Sequence, residues 1–384
     1  MVVKAIKLFR KYQGGWERPP DNTVVDLYSS RPAADGQRYK KLPCAQSPRP
    51  SISLIATVKN EGRAIEGWFL SLLDQTCPPN EIIIIDGGSI DNTYRLLKKM
   101  ALKSPVPTRI IQCPGVNIAA GRNQAIRLAN GPLISCTDAG CEIPCGWLAS
   151  ITGPFAADPA IEVVAGYYEA IQETHFQSAL APFLVPPPPQ GEMQSFLPSA
   201  RSVAFRKEAW ESVRGFPEWL TFAGEDTVFG LALKNKTRKW AFVPEAVVRW
   251  RLQPTVGKLF RQVRQYGRGS GEAGVFPEEY FFQSFMLLST VCFGLLIGFL
   301  GLLLAYMTGH WLWLLPALSA GLWAGRRVFR SSPRTPSANG LASARTVLLS
   351  ILILLTIRTA TLVGFFEGYS SLAKLPQGNE EALG

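Results

Sequence analysis

Glu81-Ile82-Ile83-Ile84-Ile85-Asp86-Gly87-Gly88-Ser89-Ile90-Asp91-Asn92-Thr93 holds a strand, a turn and the start of a helix in one short stretch. The isoleucine run shows no polar alternation, so both faces of the strand are covered, as they are in parallel sheets sandwiched by helices. The glycines after Asp86 let backbone or ligand come close. A helix from Thr93 to about Leu102 follows the turn. A strand, a glycine turn and a helix N-terminus in that order form a pocket for an anion or a nucleotide.

The same alternation extends on both sides. Upstream, Ser51 to Val58 is a short apolar strand that runs into Lys59-Asn60-Glu61-Gly62. Beyond it, Ile65, Trp68, Phe69, Leu72 and Leu73 share one helical face. Downstream come a strand (Arg109 to Cys113), a helix (about Ala119 to Asn130) and another strand through Leu133 and Ile134. This βαβαβαβ order predicts an α/β domain with a doubly wound, mainly parallel sheet. The last strand delivers Asp138, within Ser135-Cys-Thr-Asp-Ala-Gly-Cys-Glu142, to its carboxyl end. Open α/β sheets bind ligands at such ends; a turn aspartate capping the next segment is the alternative. Gly267 to Gly274 is also glycine-rich but follows no strand, so it is not read as a phosphate loop.

The net charge of +11 over 384 residues allows nucleic acid, an anionic membrane or a phosphate-rich substrate as partner. Its distribution favours the last two and argues against nucleic acid. Arg326, Arg327, Arg330, Arg334 and Arg345 lie between apolar segments without an intervening acid, the pattern of a cytoplasmic loop. The cysteine count of 7 is odd and lacks framework spacing, so the thiols are expected to be reduced. Cys136, Cys141 and Cys145 lack an evident fourth zinc ligand. Met1 to Gln13 suits a short basic amphipathic helix on a membrane. The proline-rich remainder of a 1–50 leader is expected to be mobile.

The order of motifs resembles the family-2 glycosyltransferases of the GT-A fold, which transfer a sugar from a nucleotide-diphosphate donor with inversion. The resemblance runs from Ser51 to Arg268. It rests on the opening strand into Thr57-Val-Lys-Asn-Glu61, then Ile85-Asp-Gly-Gly-Ser-Ile-Asp-Asn-Thr93, Ala120-Gly-Arg-Asn123 and Thr137-Asp-Ala-Gly140. Val203-Ala-Phe-Arg-Lys-Glu-Ala209, Arg214-Gly-Phe216 and Gly224-Glu-Asp-Thr227 follow. It implies a GT-A-like, doubly wound mixed sheet, mainly parallel, followed by an α-helical transmembrane region. Thr57, Glu61 and Asp86 would hold the nucleoside, Arg122 would lie beside the donor, and Asp138 would be the first aspartate of the metal-binding Asp-x-Asp. Asp226, with Glu225 beside it, would be the base that takes the acceptor hydroxyl proton; without the resemblance, both acids would read as the cap of a helix. A diphosphate leaving group concentrates negative charge, which Mg²⁺ or Mn²⁺ on a hard carboxylate would neutralise.

Two positions depart from the family pattern. Gly140 stands where a second aspartate is usual, so diphosphate oxygens, water or Glu142 would complete the metal shell. Gln265-Tyr-Gly-Arg268 resembles the Gln-x-x-Arg-Trp motif of processive members, but Gly269 replaces the tryptophan, which argues for a single transfer. Gln265 and Arg268 would face the acceptor or membrane side. Phe183 to Gln190, with its prolines, is read as irregular, either an acceptor-side loop or a plain surface loop.

Residues 258–282 read as an amphipathic interface segment, with Lys258, Arg261, Arg264 and Arg268 among apolar neighbours. Ser284 to Met307 is uncharged and long enough to span a bilayer. Trp311 to Gly325 and Thr346 to Phe366 are further candidates, for two or three spans within 283–366 and a tail from 367 to 384. The expected protein is an integral membrane glycosyltransferase with its 51–257 domain on the cytoplasmic side of a bacterial plasma membrane. Its expected partners are a nucleotide-sugar donor, membrane lipids and a lipid-linked or membrane-associated acceptor. The alternative is a catalytically inactive membrane-anchored subunit that binds nucleotide sugars or a partner.

Overall fold

The computed structural model describes residues 23–25, 50–185, 187–188, 196–221, 223–331 and 344–372. They fall into two compact units: Met1–Ile171 with Pro187–Arg251, and Gln172–Pro186 with Leu252–Gly384. In chain order the elements are β1 (Thr23–Val25), β2 (Ile52–Val58), α1 (Ala64–Leu73), β3 (Glu81–Asp86), α2 (Thr93–Ala101), β4 (Thr108–Gln112) and α3 (Ile118–Leu128). Next are β5 (Leu133–Cys136), β6 (Cys141–Glu142), α4 (Trp147–Ala157), β7 (Val163–Ile171) and α5 (His175–Leu184), the last in the second unit. Then come β8 (Val203–Arg206), α6 (Lys207–Ser212), α7 (Glu225–Lys236), β9 (Lys239–Arg251), α8 (Val256–Ala273), a π-helical turn (Glu278–Phe282), α9 (Gln283–Thr308), α10 (Leu314–Ser331) and α11 (Ala344–Leu372).

The first unit is built on a mixed 9-stranded sheet in the order β1-β9-β7-β8-β5-β2-β3-β4, with β6 paired to β9. β5, β2, β3 and β4 run parallel, which is the doubly wound half expected from the alternation. β8 turns antiparallel against β5 and β7, and β9 returns parallel to β7. The isoleucines of β3 are fully buried, as a strand covered on both faces must be. Ile55, Ile85, Ile134, Phe205, Phe216 and Phe229 form the core on one side of the sheet. The Phe216 and Phe229 rings stack there at 3.9 Å.

Some expectations are corrected. Thr23–Val25, inside the leader expected to be mobile, is a strand at the sheet edge paired with β9; the rest of 1–49, including the amphipathic reading of Met1 to Gln13, lies outside the described residues. Cys77 is disulfide-bonded, whereas Cys113, Cys136, Cys141, Cys145 and Cys292 are free. A single bridge leaves no framework spacing for a sequence to reveal. Phe183 and Leu184, read as irregular, close α5, which carries Pro182 inside it.

In the second unit α8 and α11 lie in close contact through glycines on both helices. A Cβ at Gly267 would meet Thr361 O at 2.5 Å, and Cβ atoms at Gly271, Gly364 and Gly368 would run into the backbone oxygens of Phe365, Arg264 and Arg268. Small residues let helix backbones approach in this way. Arg264 clamps the pair by a bidentate contact with Glu367, at 2.9 and 2.6 Å. Two helices are long and apolar enough to cross a membrane by length and composition, Tyr280–Thr308 and Arg345–Ser371. Gly364→Leu is expected to lower the thermal midpoint of the detergent-solubilised protein sharply, because overpacking costs about 1–3 kcal/mol or more. Gly298→Ala, where a Cβ meets nothing within 4 Å, should leave it nearly unchanged. Equal midpoints for the two variants would remove the glycine contact as a determinant of the pairing.

Candidate active site

The site grows from the carboxyl ends of β3, β2 and β5, which the register sets side by side: Asp86 lies opposite Val58, and Cys136 opposite Ile55. The loop after β2 is held by the loop after β3. Asn60 N–H donates to Ser89 Oγ at 2.9 Å, and Asn60 Oδ1 accepts from Ile90 N–H at 2.9 Å. Gly62 N–H donates to Asp91 Oδ2 at 2.9 Å, and Glu61 N–H to Thr93 Oγ1 at 2.9 Å. The polar residues of Asp86 to Thr93 thus fix where Glu61 sits.

Asp86 is fully buried. Its Oδ1 accepts the N–H groups of Gly88 and Ser89, at 2.8 and 2.6 Å. Its Oδ2 is buried without a partner among the described residues, as are Thr57 Oγ1, Ser135 Oγ and Thr137 Oγ1. Orphaned buried polar atoms are costly and uncommon; Asp86 ends β3 and Thr137 follows β5, whereas Thr57 Oγ1 lies against Gly121 of α3.

Arg122, on the buried face of α3, ties the rest together. Its Nη1 donates to Glu225 at 2.5 Å and its Nη2 to Asp138 at 2.7 Å. The Phe216 ring lies 5.4 Å from its guanidinium carbon. Burial works against this charge, but the carboxylates around it hold the guanidinium pKa well above its ordinary value. One residue on, Asn123 donates to Phe216 O at 2.8 Å and accepts from Phe216 N–H and Trp210 Nε1, at 2.8 and 2.9 Å. Ala120-Gly-Arg-Asn123 and Arg214-Gly-Phe216 are therefore two halves of one contact. Glu225 and Asp226 open α7, where acids suit the positive end of the helix. Gly224 caps that helix with φ of 91°, a conformation that glycine adopts without strain.

Burial pushes the Glu225 carboxyl up, against the pull of Arg122, and the neighbouring Asp226 adds to the rise. Burial also raises Glu61, with Asp138 and Asp91 adding repulsion. Burial pushes the Cys136 thiol up to about 12, which favours its protonated form at neutral pH. Asp226 Oδ1 accepts from Thr227 N–H at 2.8 Å, and its Oδ2 from Ser199 Oγ and Ala200 N–H, each at 3.4 Å.

Thr57, Glu61, Asp86, Arg122, Asp138, Glu225 and Asp226 all belong to the first unit. Gln265 and Arg268 are on α8 in the second, Gln265 exposed and Arg268 bound to Glu272 at 2.9 Å. Among the described residues no group of three or more His, Cys, Asp or Glu side chains could hold a metal. Glu142, one candidate for completing a shell, is paired with Arg251 at 3.2 Å. Asp138 keeps Oδ2 clear of Arg122. Mg²⁺ commonly binds through one or two carboxylates plus substrate phosphates, so these residues fit a cation that arrives with a diphosphate rather than one caged beforehand. Sequence reasoning missed Asn123, Phe216 and Ser199; the first two sit inside quoted motifs, but Ser199 carries no local signal.

Parallel strands feeding loops of carboxylates, with an antiparallel return, define a nucleotide-sugar type of α/β site. Residues 53–207 match the Glycosyl transferase family 2 model, and residues 162–324 match Glycosyl transferase family group 2. With this fold, residues 53–207 form a family-2 glycosyltransferase domain of the GT-A type. A stretch of 92 residues is 32% identical to the uncharacterized glycosyltransferase YibD of Escherichia coli (strain K12), over 24% of this chain and 26% of that one. The match therefore spans about a quarter of the length of that relative. Among solved structures, mannosyltransferase PcManGT from Pyrobaculum calidifontis in complex with GDP-Man and Mn2+ has a TM-score of 0.51 at 14% identity, over 96% of this chain and 95% of that one. At that identity the likeness concerns the fold.

An acid whose pKa is raised on folding costs stability above its folded pKa, and the cost disappears below the ordinary glutamate range. Glu61→Gln is thus expected to raise the thermal midpoint at neutral pH, with the gain shrinking as the pH falls. A gain independent of pH would show that the repulsion around Glu61 is not its source.

Proposed function

We propose that this glycosyltransferase moves a sugar from a nucleotide-diphosphate donor, by inverting displacement, to a lipid-linked or membrane-associated acceptor. The observation that carries the reading is the Arg122 bridge. It joins Asp138, on the donor side, to Glu225, whose neighbour Asp226 carries a carboxylate held on both oxygens. In this reading Asp226 takes the acceptor hydroxyl proton as the new glycosidic bond forms. Asp86, through the unpartnered Oδ2, accepts a hydrogen bond from the nucleoside, with Thr57 and Glu61 beside it. Asp138 faces the diphosphate and would hold Mg²⁺ or Mn²⁺ jointly with its oxygens. That cation would supply charge neutralisation of the departing nucleoside diphosphate.

The two apolar helices support a membrane anchor. On this reading the catalytic domain works at the cytoplasmic face, where nucleotide sugars are made. Gly269 after Gln265-Tyr-Gly-Arg268 leaves no tryptophan there for a growing chain to stack on, in keeping with single transfer.

Asp226→Asn should lower kcat by about 10²–10⁴, the usual worth of positioned acid–base catalysis, while calorimetry still registers donor binding. Full transfer in this variant would remove Asp226 as the base, whereas wild-type protein that neither transfers nor hydrolyses any donor in a panel of nucleotide sugars would leave a non-catalytic binding subunit instead. A second expectation concerns the metal. Calorimetric titration should find Mn²⁺ bound at least about tenfold more tightly when a nucleoside diphosphate is present, a coupling of about 1.4 kcal/mol, and Asp138→Asn should abolish the difference. Equal affinity with and without nucleotide would count against a shared site.

A further inference from the structure

Arg201 stands between aromatic rings of β7 and β9. Its guanidinium carbon is 4.1 Å from the centre of the Trp250 ring and 5.3 Å from that of Tyr168, and the two rings meet edge to face at 6.0 Å. The strand register explains the placement. Beyond the irregularity between Ala165 and Tyr167, Tyr168 pairs with Val248 and Ala170 with Trp250, so Tyr168 and Trp250 sit on adjacent rungs of one face. A guanidinium stacked on a ring keeps its in-plane N–H groups available. One of them, on Nη1, donates to Ser199 Oγ at 2.9 Å, and Arg201 N–H donates to the same oxygen at 3.4 Å.

The direction of this contact is fixed by chemistry. Arginine is a donor only, and a serine hydroxyl has one proton and two lone pairs. Ser199 Oγ, accepting from Arg201, must send its only proton elsewhere, and the acceptor within reach is Asp226 Oδ2 at 3.4 Å. Ala200 N–H points at the same oxygen. The distances to Oδ2 are long, as catalytic hydrogen bonds often are before substrate binds. Tyr168 feels the charge of both Arg201 and Asp226, which places the whole row in one neighbourhood.

From this we infer that Arg201 and Ser199 are positioning residues for the base. Arg201, held by Trp250 and Tyr168, orients the Ser199 hydroxyl, and Ser199 with Ala200 N–H turns the Asp226 carboxylate so that its remaining lone pairs meet the acceptor hydroxyl. The inference rests on the reading of Asp226 as the base.

The test uses the full-length protein with Ser199→Ala, Arg201→Met and the double variant. Methionine keeps bulk over Trp250 while removing the charge, and alanine at 199 removes a single oxygen. Each single variant should lose about tenfold in kcat, the worth of one hydrogen bond to a charged group, with acceptor KM and nucleotide affinity unchanged. The double should be no worse than the weaker single, since residues in one network are non-additive. Ser199→Thr, which keeps the hydroxyl, should restore most of the rate. Unchanged kcat, multiplicative losses in the double, a raised acceptor KM or weakened nucleotide binding would each overturn the inference. Failure of the base reading looks different: there Asp226→Asn itself remains active. An inactive Asp226→Asn beside fully active Ser199→Ala and Arg201→Met would sink the positioning role alone.

Discussion

The buried guanidinium of Arg122 is the constraint on which the rest of the site depends. Taking a charge out of water costs several kcal/mol per ion in real proteins, and attraction offsets that only when geometry is tight and the hydrogen bonds are made. Arg122 is 1% exposed and meets the condition with Glu225 and Asp138. Each partner is held in turn by its own element: Asp138 follows β5, Glu225 begins α7, and Arg122 projects from α3. Losing Arg122 would leave both carboxylates without their cation, and losing either carboxylate would leave the buried guanidinium with one partner, so three elements distant in the chain are locked together by one side chain.

That lock explains why neighbouring motifs take the form they do. Asn123 saturates the backbone of Phe216 and the indole of Trp210, and so places the ring that covers the guanidinium. Gly215 is required by the same contact, since a Cβ there would stand 2.7 Å from Asn123 Oδ1. Gly224 turns the chain into α7 so that Glu225 enters the pocket in the first turn.

The parallel half of the sheet was legible because its signals are local: uniform apolar runs for β2 and β3, helical spacing in α1, and glycine after Asp86. The membrane-length helices were legible for the same reason, since length and charge are properties of a single segment. What escaped depends on partners far apart in sequence. The edge strand Thr23–Val25 exists through its pairing with β9, and the glycines of α8 matter because those of α11 lie against them. Within the site, the candidate acids lie in motifs that could be quoted. The contacts around them, from Asn117 to Glu218 O and Leu220 O or from Ser199 to Asp226, join loops that no window of sequence contains together. A cysteine count likewise reports frameworks well and a lone bridge at Cys77 poorly.

The charge balance of the pocket bears on how one carboxylate at the end of β5 could suffice where the family usually has two. Glu61, Asp138, Glu225 and Asp226 influence one another or shared neighbours, and the cations among them are Arg122 and Arg201. Arg122 is already committed to two carboxylates, and its remaining Nε has no partner among the described residues. A nucleoside diphosphate brings further negative charge into a region that already raises Glu61 and Glu225. On the proposed reading, a second aspartate at Gly140 would deepen that repulsion in the empty pocket and add little once diphosphate oxygens are present as ligands. A Cβ at Gly140 would meet nothing within 4 Å, so steric need does not account for the glycine. On that reading the glycine relieves repulsion, and the proposed donor supplies the oxygens that a second aspartate would have added.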